Sequence, residues 1–234
     1  TNFQDVAELD YSNNEMRTAM IDAMEYWIYE ANVDGYRCDY ANGVPGDFWS
    51  QAWSQLDAIP NRKLIKLAEG NRADLLTSGF DMNFGFEFYG GITSAFEGQP
   101  AIKIYEAAAQ ENSNVPAGKT TLRYTTNHDE SAFNKTPIQL YGGKQGALSA
   151  SAITIFMDGV PMIYSSQEVG RSSNLPFFSN STIDFSANPE MLDTYQKMMP
   201  FYTSSNAARS GTLQLYPDND VAVFKKVLNG DEVL

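Results

Sequence analysis

Gly35-Tyr36-Arg37-Cys38-Asp39 is a short, largely apolar run that ends on a carboxylate, and the pattern returns twice. Leu64-Ile65-Lys66-Leu67-Ala68-Glu69 ends on Glu69, and Tyr124-Thr125-Thr126-Asn127-His128-Asp129 ends on Asp129. The three acids lie 30 and then 60 residues apart. A strand–helix unit with its loops takes about 30 residues, so the intervals read as one unit and then two. Parallel, neighbouring strands deliver all three carboxylates to the same end of one sheet, where barrels of alternating strands and helices carry their chemistry. Three acids on one rim point to hydrolysis of a sugar bond. A solvated strand end is the common fate of any single acid; the joint spacing argues against it here.

Outward from these runs, apolar periodicity supplies the remaining elements. Ser12-Asn13-Asn14-Glu15 has capping-box spacing, with Ser12 as N-cap. Met16, Met20, Ala23, Met24, Trp27 and Ile28 then predict a helix to Ala31 whose stripe packs in the core. Pro45–Leu56 reads as a second helix, with Trp49 and Trp53 one turn apart and expected to pack on the sheet rather than stack on sugar. Further strands are predicted at residues 33–39, 63–68, 80–84, 121–126 and 160–164, and further helices at 101–110, 142–156 and 189–202. After that the alternation stops. Thr212–Tyr216 and Val221–Val227, joined by Pro217-Asp218-Asn219-Asp220, read as antiparallel strands opening a β-domain. The expected organisation is a partial catalytic barrel over residues 1–210 and a truncated β-domain over 211–234. Five alternating strands stand where a closed barrel of this type has eight. The missing N-terminal barrel half is therefore expected in the parent protein, and residues 1–234 alone are expected to show weak or no activity.

The chain has 234 residues, 43% hydrophobic and 13% aromatic, within the range of one large α/β domain. Its net charge of −13 disfavours nucleic acid and anionic membranes, which require basic surfaces. No apolar run reaches the length of a membrane span. The single cysteine, Cys38, excludes an internal disulfide and a cysteine-built zinc cage, and its place inside an apolar run predicts an inert thiol. With one histidine in the chain, a catalytic zinc site has too few ligands. Neither a G-x-S-x-G elbow nor a phosphate-binding P-loop occurs.

Glycoside cleavage needs one carboxylic acid to protonate the leaving oxygen and one carboxylate as nucleophile or base. Asp39 and Glu69, ending adjacent strands, fit that pair. Arg37 lies two residues before Asp39, so strand alternation puts both on the same face, where a guanidinium would hold Asp39 ionised. Glu69, longer and preceded by Leu67-Ala68, suits the acid/base role. Asp129 is a candidate for binding ring hydroxyls and distorting the sugar, with His128 donating to another hydroxyl.

Together these runs resemble the three downstream signature regions of the α-amylase superfamily, glycoside hydrolase family 13. Val6-Ala7-Glu8-Leu9-Asp10 with Asn13 is similar to the family's short motif ahead of the third barrel helix. Gly159-Val160-Pro161-Met162-Ile163-Tyr164 through Gln167-Glu168-Val169-Gly170 is similar to its eighth-strand motif. The resemblance implies a (β/α)8 TIM barrel of α-amylase type, here strands four to eight, acting with retention on α-1,4-glucans such as starch or maltooligosaccharides. It implies Asp39 as nucleophile, Glu69 as acid/base, Asp129 as transition-state stabiliser, and Arg37 and His128 as substrate-binding residues. It implies no cofactor for the chemistry and, by analogy with bacterial relatives, an extracytoplasmic location. The first signature region of the family is absent. Its basic residue and histidine after the nucleophile are replaced by Tyr40, Ala41, Asn42 and Gly43, a segment that helps bind calcium in many relatives, so structural calcium stays possible but is not supported by this segment. α-Glucosidase action, glucan transglycosylation and a non-catalytic glycan-binding chain on the same fold remain alternatives.

Overall fold

The computed structural model describes residues 6–234, which fall into two compact units. The first runs to Phe84 and takes in Asn114–Thr121; the second comprises Gly85–Ser113 and Leu122–Leu234.

The first unit opens on α1 (Asn14–Ala31), capped by Asn13, whose Oδ1 accepts from the Glu15 and Met16 amides. The expected cap, Ser12, instead donates to Asp10. An Asn in the extended conformation meets the amides of the first turn directly, so the chain enters its helix one residue later. The buried face of α1 is centred on Ile21 and Ile28, flanked by Met20 and Met24. Trp27 is 55% exposed, contrary to the expected stripe. Successive helical residues lie 100° apart, so Trp27 sits at the margin of the face that Ile28 occupies.

Strand β1 (Gly35–Cys38) leads into α2 (Gly46–Leu56), then β2 (Ile65–Ala68) and β3 (Met82–Phe84). β1 pairs with β2 and β2 with β3, both in parallel. On α2, Phe48, Trp49, Ala52, Trp53 and Leu56 are buried, as the spacing of apolar residues requires. Trp49 and Trp53 stack with ring centroids 6.0 Å apart, and Phe80 meets both edge-on at 5.0 Å. These tryptophans are packing residues, as expected.

The second unit starts with a packed helix pair, α3 (Phe86–Phe96) and α4 (Ile102–Asn112). Sequence periodicity does not indicate α3, because Gly90-Gly91 interrupts it. Gly91 is there for close approach: a Cβ would run into the Ala107 methyl and lie 2.9 Å from the Lys103 carbonyl of α4. Strand β4 (Thr120–Arg123) crosses the boundary of the units. It is followed by α5 (His128–Phe133), α6 (Pro137–Leu140), α7 (Lys144–Phe156) and β5 (Val160–Pro161). β4 and β5 pair in parallel, Leu122 opposite Val160 and Arg123 opposite Pro161. Both strands are shorter than their sequence suggests: beyond them the Thr125 carbonyl accepts from the Tyr141 hydroxyl and the Tyr164 amide donates to Gln167 Oε1.

Helices α8 (Pro189–Ser204) and α9 (Asn206–Ser210) precede the antiparallel sheet β6 (Thr212–Tyr216), β7 (Val223–Leu228) and β8 (Asp231–Val233). Leu213, Leu215 and Phe224 of this sheet pack against a core that includes Ile155, Met191 and Tyr195. Beneath α3, Arg123 is 1% exposed, paired with Glu111 at 3.0 Å and lying 4.0 Å from the Phe88 ring centroid. Among the described residues no helix is long and apolar enough to cross a membrane.

Candidate active site

The parallel register of β1 and β2 places Arg37 opposite Leu67 and Cys38 opposite Ala68, so Asp39 and Glu69 leave the sheet side by side. The Glu69 amide donates to the Cys38 carbonyl at 3.0 Å and the Ala41 amide to the Glu69 carbonyl at 2.9 Å, carrying the pairing one step past the strands. Arg37 and Asp39 do share a face. The Arg37 guanidinium donates from Nη1 to Asp39 Oδ1 at 2.5 Å and from Nη2 to Glu69 Oε1. One cation therefore bridges the two carboxylates. Glu69, expected among apolar neighbours, also accepts the Tyr40 amide on Oε2 at 2.9 Å and is mostly buried, while Asp39 is open to solvent.

Tyr40 presents that amide from a left-handed conformation, φ 41°. A non-glycine residue there carries backbone strain that the surroundings must overcome. Gly43 permits it, since any Cβ at this position would enter the Tyr40 ring. Cys38 is half-buried, and burial pushes its thiol up to about 12 against a smaller opposing pull from Arg37, in keeping with an inert group.

The loop after Tyr40 is locked to the loop after β2. Asn42 Oδ1 accepts the amides of Asn71 (3.2 Å) and Arg72 (3.0 Å), and the Arg72 guanidinium donates to the carbonyls of Asn42 (2.7 Å) and Val44 (3.0 Å). Asp74 completes the group by pairing with Arg72. Asn42 Oδ1 and the Asn42 and Val44 carbonyls thus already accept from N–H groups, and the Arg72 guanidinium lies against those two carbonyls, an arrangement that disfavours a cation at these three oxygens. The sequence marks Asn42 only as part of a departure from the family pattern and does not mark Arg72; the clue to the lock is the polar pair Asn42 and Asn71 just beyond two strand-ending acids.

In the second unit, Asn127 caps α5 by accepting the Glu130 amide at 2.9 Å, which sets His128 and Asp129 in the helix's first turn. His128 Nε2 lies 3.7 Å from Asp129 Oδ2, and both side chains are partly exposed. The preceding segment is braced from behind. Gln167 donates to Thr125 Oγ1 (3.2 Å) and to the Tyr195 hydroxyl (3.1 Å), while the Tyr141 hydroxyl donates to the Thr125 carbonyl (3.0 Å). Glu130, beside Asp129, is held by the Tyr89 hydroxyl at 2.9 Å and by Asn134 at 2.8 Å. Burial, then the nearby Glu130, pushes the Tyr89 hydroxyl's pKa well up, so it serves as a donor. The structure thus brings Arg37, Asp39 and Glu69 together in one unit and makes His128 and Asp129 neighbours in the other.

The family model described as "Alpha amylase, catalytic domain" matches residues 1–74. α-Amylase MalA of Haloarcula japonica is 26% identical over 72% of this chain and 25% of its own length. A cyclomaltodextrinase of a Bacillus species is 25% identical over 70% of this chain and 30% of its own. The crystal structure of maltogenic α-amylase AmyB from Thermotoga neapolitana superposes with a TM-score of 0.84 at 25% identity, covering 95% of this chain and 53% of that one. The chain spans only a quarter to about two fifths of the first curated relatives it matches. Its fold is part of an α-amylase-type (β/α)8 barrel followed by an antiparallel sheet, as expected from sequence. In sequence over its first 74 residues and in fold over nearly its whole length, the chain is similar to the α-amylase family of glycoside hydrolases.

Proposed function

We propose that this chain carries the catalytic carboxylates of a retaining glycosidase that cleaves α-1,4 bonds in starch or maltooligosaccharides. The observation that carries the reading is the Arg37 bridge between Asp39 and Glu69 at the ends of adjacent parallel strands. A retaining enzyme requires two carboxyl groups about 5–5.5 Å apart, and a shared guanidinium at neighbouring strand ends supports that spacing. In the proposed cycle Asp39 attacks the anomeric carbon while Glu69 gives a proton to the glycosidic oxygen, releasing the chain on that side. Glu69, now a base, takes a proton from water, whose oxygen displaces Asp39 from the glycosyl ester and frees the sugar. Asp129 is proposed to stabilise the oxocarbenium-like transition state, with Arg37 and His128 binding substrate. This chemistry needs no cofactor. An extracytoplasmic location suits a polymeric substrate and forms part of the proposal.

Transglycosylation is the second reading, favoured by the likeness to a cyclomaltodextrin glucanotransferase of a Bacillus species, 23% identical over 96% of this chain; it replaces the water with a sugar hydroxyl and keeps the same residues. The test is the configuration of the product at early times, followed by proton NMR with maltoheptaose as substrate. Retention predicts the α-anomer first. A β-anomer would refute the assignment of Asp39 as nucleophile.

A further inference from the structure

The second unit exposes three phenylalanines at one place: Phe178 is 94% exposed, Phe133 66% and Phe177 40%. Their rings touch. Phe177 meets Phe133 edge-on at 5.1 Å and Phe178 at 5.9 Å, and stacks on His128 at 5.5 Å with 25° between planes. Three touching apolar rings held in water form an exposed apolar patch, and such patches mark binding sites.

The loop that carries Phe177 and Phe178 is held in place. Arg171 closes its neck, donating to the carbonyls of Ser173 (2.9 Å), Asn174 (3.2 Å) and Thr182 (2.8 Å) and to Ser181 Oγ (2.9 Å). Asn174 donates to the carbonyls of Ala132 (3.1 Å) and Asn134 (2.6 Å), and the Leu175 amide to that of Ser131 (3.0 Å). The loop is therefore pinned along α5, the helix that carries His128 and Asp129. A ligand landing on these rings would not have to order them first, which removes a usual cost of binding.

We propose that Phe133, Phe177 and Phe178 form a stacking platform for glucose units of the α-glucan chain, beyond the sugar at the cleaved bond. The inference rests on the glycosidase reading. Phenylalanine offers no polar edge, so its natural ligand here is the C–H face of a sugar ring. Nucleic-acid bases also stack on aromatics, but they bring phosphates, and a chain of net charge −13 repels those. Continuity with His128 sets the occupant as the same glucan the site would cut.

The test is calorimetric titration of the whole natural protein carrying Glu69→Gln, with maltose and with maltoheptaose, with and without Phe133→Ala plus Phe178→Ala. Both rings are mainly in water, and an unchanged melting temperature checks that the double variant folds. The platform predicts roughly tenfold weaker binding of maltoheptaose, from two lost ring contacts, with maltose affinity unchanged and Phe178→Trp retaining the long sugar. Equal affinities for maltoheptaose in both proteins would overturn the platform and leave the glycosidase reading standing. So would sugar affinities that stay the same while self-association falls, which would assign the rings to a protein contact. Failure of the Glu69→Gln protein to bind either sugar would overturn the glycosidase reading, and the platform with it.

Discussion

Replacing Arg72 with Ala removes the cation that ties the loop after β1 to the loop after β2. Three attachments go: the bonds to the Asn42 carbonyl at 2.7 Å and the Val44 carbonyl at 3.0 Å, and the pair with Asp74. A hydrogen bond from a charged donor contributes about 1.5–3 kcal/mol net. The guanidinium is partly exposed, so each of the two carbonyl bonds falls toward the lower end of that range, and the Asp74 pair adds at most ~1 kcal/mol. The expected loss is about 3 kcal/mol. At this chain length each kcal/mol moves the melting temperature by roughly 2–4 °C, so Arg72→Ala should melt about 6–12 °C lower by calorimetry. Arg72→Lys keeps the charge without the fork and should recover less than half of that loss. Added calcium should not restore the variant, and a chelator should not lower the wild type. A melting temperature within 1 °C of wild type, or rescue of Arg72→Ala by calcium, would refute the reasoning.

Two other outcomes follow from buried groups. Arg123→Met leaves Glu111 uncompensated beneath Phe88 and should cost about 3–5 kcal/mol in a denaturant titration, whereas Arg123→Met with Glu111→Leu should recover most of it. Cys38, whose thiol is raised from 9.0 to about 12, should resist iodoacetamide in the native protein at pH 8.5 and react only on unfolding. Folding holds its proton more tightly than the unfolded chain does. That contribution is fully present below about pH 9 and is lost as pH rises toward 12. Fast native labelling would contradict the burial.

The parts of the fold that were legible are those where local pattern and burial agree. Trp49 and Trp53 sit one turn apart and stack in the core; the runs ending on Asp39 and Glu69 are parallel neighbours in register. Where tertiary contacts decide, sequence misled. The pair Gly90-Gly91 conceals α3 because its helix is favoured by close packing on α4, not by propensity. Trp27 misplaced the buried face of α1 by counting hydrophobicity rather than angle from Ile21 and Ile28. Within the candidate site the acids could be read from their spacing, and Arg37 from strand alternation. The Tyr40 amide could not, because its bond to Glu69 depends on a positive φ that a tyrosine rarely adopts. The Asn42–Arg72 lock also escaped, since it joins residues 30 apart through main-chain carbonyls that carry no side-chain signature.

The most direct measurement is release of reducing sugar from soluble starch by the whole natural protein, compared with its Glu69→Gln variant. Glu69→Gln is close in shape and keeps an acceptor for the Tyr40 amide, but it has no proton to give the leaving oxygen. The proposed roles predict starch hydrolysis by the wild type, a fall in kcat of about 10²–10⁴-fold in the variant, and retained binding of maltoheptaose. Starch hydrolysis by Glu69→Gln at the wild-type rate would contradict them.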